Sequence, residues 1–481
     1  MVFSCQSGGV MEPPEDGDLA ARLPEHVLAD VLRRVTGPRS LAVSRCVCKA
    51  WRAIIDGEGL LRTDLPFGGI FICFRELSLP EFFSRPASLD QPSISGKLDF
   101  LPRAIEVRPD GRSLDGGDYY IEDQCNGLLL IHGNYNHDHY VVNPATRWWN
   151  ALPLCQQNHT ESEGIVRGIL THDYYLAFDP KVSSHYQVFQ IPYLRWGRGE
   201  IDPSEETSEW PPTPYILHVF SSRRGRWEER LFVREGDAAG TLAKARVVGI
   251  RLHSVYWRGS LYVHCQSDFI MRIFLSEDKY SVIKPPTAVG DIDYIGLSEK
   301  GVYCASFVKN HIRVCILNES SNQLEWILKH DYDLKPVKVF DRQAHGSWIL
   351  EDINYGIFRS HLPNINKEEV IQEKLEWNSD DDGFHDNAGT IEAHNHPYFE
   401  IEILGFHPHK EILFLSRSED YKLNAMAFAY HLNSFKVECL GSIYPTGHEY
   451  FDSGLSNESR EIESFPYTPC CWIEKAPEIV N

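Results

Sequence analysis

The sequence predicts a two-part α+β chain: a small N-terminal helical module, then a large all-β, propeller-like domain of six to eight blades. Three observations carry this. Helical periodicity is confined to roughly residues 23–57. Beyond about residue 66 the chain breaks into short apolar runs separated by turn residues. Its composition, with 11 Trp, 22 Tyr, 24 Phe, 34 Gly and 28 Pro against only 4 Met, favours strands and tight turns over helical bundles. At 481 residues the chain is too long for one ordinary core, so a repeat architecture or several domains must share it.

Residues 1–20, rich in Gly, Pro and acids, read as a disordered leader. Order is expected from Leu23-Pro24-Glu25, where proline suits a first helical turn and glutamate complements the positive end of the helix dipole. Val27, Leu28, Val31, Leu32 and Val35 then form an apolar stripe, ended by Gly37-Pro38. A second amphipathic pattern contains Leu41, Val47, Cys48, Trp51, Ile54 and Ile55, with Arg45, Lys49 and Arg52 between them. So few residues bury little surface, which suits a cap on the following domain or a module that docks on a partner.

The β region begins with the run 69–74 and continues through 127–132, 140–142, 174–178, 186–191, 216–220, 261–265, 312–317, 348–350, 411–415 and 425–430. A loose repeat runs through it: an apolar run, a polar turn, then a second strand bearing an aromatic. It occurs at 140–153, 217–227, 271–286, 314–326 and 427–445. Its irregular spacing, on the order of 40–60 residues, fits propeller blades with loop insertions. A single four-stranded blade cannot cover its own apolar faces, whereas blades stacked round an axis do so and leave short edges. Residues 69–101 are expected to help close the ring with C-terminal strands. A pair of β-sandwiches is the structural alternative. Two acidic or Pro-rich stretches, 201–214 and 378–396, read as solvated loop insertions.

Leu23-Pro24-Glu25-x-x-Leu28-x-x-x-Leu32, Ser40-Leu41 and Arg45-Cys46-Val47-Cys48-Lys49-Ala50-Trp51-Arg52-x-x-Ile55 together resemble the F-box, in its plant form. The resemblance implies an F-box over 21–62 that packs on a Skp-type adaptor and, through it, reaches a cullin. It places Leu23, Pro24, Leu28, Leu32, Leu41, Val47 and Trp51 at the adaptor or bracing the helices that meet it. His26-Val27 and Thr36-Gly37 depart from the common pattern, which has an acidic-then-leucine pair and a proline there. Further on, Cys125-Asn126-Gly127-Leu128-Leu129 and Asn143-Pro144-Ala145-Thr146-Arg147-x-Trp149-x-x-Leu152-Pro153 resemble the F-box-associated domain, implied to span 63–478. That resemblance makes Asn126, Gly127, Asn143 and Pro144 turn residues of one blade.

Charge agrees with two parts meeting different partners. The chain carries −21, yet the segment from Arg22 to Arg62 has eight Lys/Arg against four acids. An acidic body repels phosphate backbones, which argues against nucleic acid as the main partner. No apolar run approaches the roughly 18–20 residues that span a bilayer, and no signal-peptide pattern is present. The 12 cysteines form no CxxC pair, which points to a reducing compartment, hence cytoplasm or nucleus.

Catalytic signatures are missing: there is no Gly-x-Ser-x-Gly elbow and no Gly-x-x-x-x-Gly-Lys-Ser/Thr loop. The His137/His139, His394/His396 and His407/His409 pairs sit in turn-rich segments without cysteine or carboxylate partners at ligand spacing. No metal, cofactor or catalytic residue is therefore expected. The resemblances imply a non-catalytic substrate receptor of an SCF-type ubiquitin ligase, with an unknown target on the β domain. The rival readings are a propeller enzyme and a non-ligase scaffold, each with an F-box-like docking cap.

Overall fold

The structure is a computed structural model. It describes residues 25–35, 40, 41, 44, 47, 49–57, 66–74, 77–86, 96–101, 119–133, 138–155, 170–194, 204, 206–245, 253–265, 269–286, 291–308, 311–319, 324–334, 346–355, 399–419, 425–445, 462–470 and 472. The expected leader, Leu23, Pro24 and the stretch 378–396 lie outside these. The chain divides into two compact units, Met1–Arg62 and Thr63–Asn481.

The first unit contains helices α1 (Glu25–Arg33) and α2 (Lys49–Gly57). Apolar residues at helical spacing on each meet in one small core of Leu28, Ala29, Leu32, Ile54 and Ile55, with Trp51 packed against it.

The second unit is a ring of β sheets built in chain order. Strands β1 (Gly69–Phe74) and β2 (Glu81–Ser84) come first. The next blade is β3 (Tyr119–Cys125), β4 (Leu128–Gly133), β5 (Asp138–Asn143) and β6 (Trp148–Ala151). The second comprises β7 (Leu170–Ala177), β8 (Gln187–Leu194), β10 (Tyr215–Ser221) and β11 (Arg226–Glu235); β9 (Glu209–Trp210) precedes β10, and β12 (Gly240–Thr241) follows β11 to pair with β9. The third is β13 (Ser254–Trp257), β14 (Ser260–Cys265), β15 (Phe269–Phe274) and β16 (Lys279–Ile283). The fourth is β17 (Tyr294–Ser298), β18 (Gly301–Val308), β19 (His311–Asn318) and β20 (Glu325–Asp333). After β21 (Ile349–Leu350) the fifth follows: β22 (Phe399–Phe406), β23 (Ile412–Glu419), β24 (Ala425–His431) and β25 (Val437–Ser442); β26 (Ile462–Tyr467) ends the series.

These five blades are antiparallel meanders. The sixth sheet is different, with order β21-β2-β1-β26. Here β1 pairs antiparallel with β26 along its whole length, from Gly69↔Tyr467 to Phe74↔Ile462. The two ends of the β domain thus share one sheet. The inner strands β3, β7, β13, β17, β22 and β26 each touch the next, and β26 returns to β3. That closure makes the domain a six-bladed propeller and removes the sandwich alternative. The second and third blades are also joined at the rim by parallel pairing of β11 with β16.

Burial follows the two-residue strand period. On β1 all six residues are buried because both faces meet a neighbour. Ile70, Ile72 and Phe74 face a cluster with the fifth blade's Leu404, Ile412 and Phe414. Phe71 and Cys73 instead join Leu129, Ile131 and Tyr140 of the first blade. Each of the other gaps between blades holds its own apolar cluster. The core is therefore distributed round the ring instead of lying at one centre.

The stretch 201–214 is solvated only in part where it is described: Ser204, Glu206, Thr207, Glu209, Thr213 and Pro214 are exposed, but Trp210 and Pro211 are buried. Trp210 is buried, β9 pairs with β12, and the Tyr280 hydroxyl donates to the Pro212 carbonyl at 2.6 Å. Aromatic burial thus anchors the middle of the segment, and Trp210 and Pro211 form a packed wedge at the junction of the second and third blades.

Candidate functional site

Two regions carry features beyond packing: the surface of the helical unit, and the polar groups of the propeller's inner strands.

In the helical unit the α1 stripe separates into two rows. Leu28 and Leu32, four residues apart, are buried against Ile54 and Ile55 of α2. The adjacent valine row behaves differently: Val27 and Val35 are half-buried, and Val31 is 47% exposed. Leu41 is buried and Trp51 half-buried, while Val47, in helical conformation, is 55% exposed. Of the seven residues that the F-box resemblance implies, Leu28, Leu32 and Leu41 thus lie in the interior and Trp51 flanks the small core. Only Val47 is openly presented, and Leu23 and Pro24 lie outside the described residues. Val31 was not among the seven. Its position one residue before Leu32, about 100° round the helix, is the signal that sets it beside the leucine row instead of within it.

The segments that resemble the F-box-associated domain occupy turns and clamps of the first blade. Asn126 (φ 46°) and Gly127 (φ 88°) form the two-residue β3–β4 turn, whose left-handed backbone Asn-Gly tolerates best. A Cβ on Gly127 would sit 2.7 Å from Cys470 N and Sγ, so the position also needs a residue without a side chain. Asn126 Nδ2 donates to the Phe178 carbonyl at 2.6 Å, linking this turn to the second blade. Asn143 Nδ2 donates to the carbonyls of Cys470 (3.1 Å) and Trp472 (2.7 Å), and its Oδ1 accepts from Thr146 N–H. These side chains tie the end of the described chain to the ring next to its closing strand.

Desolvated carboxyl groups brace the inner strands and the closing sheet. Asp123 on β3 accepts from Leu176 N–H (2.7 Å) on β7 and from Ser254 Oγ (2.8 Å) on β13, so one side chain bonds three blades. Burial pushes its carboxyl up to about 7 against the pull of those donors. Asp173 on β7 is likewise raised to about 7, chiefly by burial, with Glu122 and Glu463 adding like charge. Glu81 of β2, also raised by burial, accepts from Ile353 N–H, Asn354 N–H and Asn354 Nδ2, which pins the segment after β21 to the closing sheet.

Of the three histidine pairs, only His139, His407 and His409 are among the described residues. His139 packs against Tyr174 with ring centroids 3.9 Å apart and planes tilted by 38°, and lies 3.3 Å from Glu122. His407 is held down to about 3, chiefly by burial, and its Nδ1 accepts from His409 N–H at 3.0 Å. His137, His394 and His396 lie outside the described residues. Among the described residues no group of three His, Cys, Asp or Glu side chains could hold a metal ion, and no helix is long and apolar enough to cross a membrane.

Comparison with known proteins bears on the helical unit. Residues 20–64 match the F-box-like family. A putative F-box/kelch-repeat protein of Arabidopsis thaliana is 41% identical over 66 residues, 12% of this chain and 15% of that protein. A second one from the same plant is 50% identical over 34 residues, 7% of this chain and 8% of that protein. The matches thus span under a sixth of these relatives' length. Among solved structures, a quinonprotein alcohol dehydrogenase-like protein from Bacteroides thetaiotaomicron aligns over 79% of this chain and 76% of its own. Its TM-score of 0.33 and 12% identity carry no argument about this chain, whose fold rests on its own strand pairing. Residues 20–64 therefore form an F-box-like domain, similar across that stretch to plant F-box/kelch-repeat proteins, and a closed ring of six sheets follows it.

Proposed function

We propose that the chain is the substrate-receptor subunit of an SCF-type ubiquitin ligase. In this reading the helical unit binds a Skp-type adaptor, the adaptor reaches a cullin, and the propeller holds a target protein. The observation that carries it is the F-box-like match over residues 20–64 on a unit that keeps a small core and still presents apolar side chains. Helices that dock on a partner use anchors left unburied in the free protein, ringed by polar groups that set orientation. Val31 and Val47 are suited to that role. Leu28, Leu32 and Leu41 would brace the helices, and Leu23 and Pro24 would extend the contact. Such a receptor contributes proximity and no acid–base chemistry: it raises the effective concentration of a target lysine near a charged conjugating enzyme. Its place would be the cytoplasm or nucleus.

The test is adaptor capture by the full chain, with Val31→Asp/Val47→Asp as the variant. Both positions are exposed, so the thermal melt should stay as in the parent while adaptor binding falls at least tenfold. Failure of the well-folded parent to bind any Skp-type adaptor would sink the reading and return the helical unit to the role of a cap. An unchanged affinity in the variant would keep the receptor role but remove these two residues from the interface.

A further inference from the structure

We infer that the cleft between the second and third propeller blades binds an alkylammonium group, with Asp173 as its counterion and Tyr175, Tyr193, Trp210 and Tyr215 among its walls. The cleft is also lined by Met271, and its free volume is about 20 Å³. That is room for one water-sized group and far from the roughly 300 Å³ or more of a site for a cofactor or drug-sized ligand. An –NH3+ head is of that size.

The chemistry of the lining selects charge. Asp173 brings a carboxylate into a wall otherwise dominated by aromatic and aliphatic side chains. Its hydrogen bonds come from tyrosine hydroxyls, Tyr175 at 3.5 Å and Tyr193. The charged neighbours acting most strongly on it, Glu122 and Glu463, are acids as well. Arg234 of β11, the cation that bonds to the adjoining wedge, is committed to Glu209 and to the Pro211 carbonyl. Aromatic rings add attraction for a cation that neutral ligands do not receive.

The wall is also preorganised. Trp210 is held by β9–β12 pairing and packs edge-on to Tyr215 at 6.1 Å, and the Tyr215 hydroxyl donates to the Pro192 carbonyl at 2.5 Å. A metal ion is a poorer occupant, because no cluster of three ligating side chains lies here among the described residues. The alkylammonium could belong to a lysine side chain of a protein or to a free amine. The site does not depend on adaptor binding.

Occupancy requires the ionised carboxylate. Affinity should therefore rise as pH climbs towards 7 and level off above it, with Tyr175, Tyr193, Cys265, Glu122 and Glu463 as the titratable surroundings of Asp173. The experiment is calorimetric titration of the full chain at pH 7.5 with n-butylammonium, neutral n-butanol and Nα-acetyl-lysine amide. The ammonium is expected to bind at least tenfold more tightly than the alcohol, and to weaken about tenfold at pH 5.5 and in Asp173→Asn. Binding of both amines assigns the site to protein lysine, and binding of n-butylammonium alone assigns it to a free amine. Equal affinity for ammonium and alcohol, or no binding of either amine to the parent chain, overturns the proposal. Because the alcohol comparison uses the parent chain, the test survives a poorly folded variant.

Discussion

The helical unit and the propeller solve the same problem of burial in opposite ways. The helical unit gathers Leu28, Ala29, Leu32, Ile54 and Ile55 into one small cluster and leaves Val31 and Val47 in solvent. The propeller distributes its apolar residues over six gaps between blades and joins its ends through β1 and β26. One unit therefore depends on a handful of side chains and keeps apolar surface to offer. The other depends on closure, and no single residue dominates it. A partner that buries the helical unit would complete a core; a ligand of the propeller would only fill a cleft.

Removal of the closing strand should break the comparison most severely. A chain ending at residue 460 lacks β26, which exposes β1 along its length and opens the ring between β22 and β3. We expect loss of the cooperative propeller melt, followed by circular dichroism. A melt kept within a few degrees would show that the other gaps suffice and that closure is dispensable.

Next in size is Leu28→Ala/Leu32→Ala. Each truncation of a fully buried leucine costs about 2–5 kcal/mol, more than so small a core can spare. Helical signal and adaptor capture should be lost together while the propeller transition stays in place. This pair reports on folding of the unit, whereas Val31→Asp/Val47→Asp reports on its surface. A propeller melt that shifts with the leucine pair would show that the two cores are coupled.

The pH dependence of the propeller gives a subtler contrast. Asp123 is raised from an ordinary 3.8 to about 7, so below pH 4 it is protonated in both the folded and unfolded states. Between about 4 and 7 the folded state holds the extra proton, and stability falls as pH rises through that window. The contribution lost is on the order of 2–4 kcal/mol. Asp123→Asn keeps an acceptor for Leu176 N–H and Ser254 Oγ and should flatten the slope. Denaturant midpoints at pH 4.5 and 7.5 measure it; an unchanged slope would assign the pH dependence to other carboxyl groups, Asp173 first.

The smallest expected effect is that of Gly127→Ala. A left-handed backbone and the approach of Cys470 together should cost about 1–3 kcal/mol, read as a lower propeller melt with adaptor binding intact. No loss would mean that the end of the described chain shifts freely away from the first blade.

Much of this is legible in the sequence. The five repeats read from the sequence coincide with the hairpins from β5 to β6, β10 to β11, β15 to β16, β19 to β20 and β24 to β25. Four of those turns carry a left-handed residue, Arg147, Gly225, Asp278 and Phe435. Local signals of this kind survive because a hairpin turn and a two-residue alternation are written over adjacent positions. The closing blade was legible only as an expectation about 69–101, since its four strands come from three distant parts of the chain. The buried wedge at Trp210 and Pro211 is not legible within the exposed stretch around it, because it packs on third-blade residues such as Met271 that are distant in sequence.

What the sequence alone determined is the kind of each local element: two amphipathic helices bearing an F-box-like pattern, then alternating strands with specific turn residues. These follow from spacing and residue type, which neighbouring positions enforce. Only the tertiary structure decided that the ring has six blades, that Leu28 and Leu32 point inward while Val31 and Val47 do not, and that Asp123 and Asp173 lie desolvated on the inner strands. Those outcomes depend on which distant surfaces meet, and burial, with the charge it strands, is a property of the meeting and not of either strand.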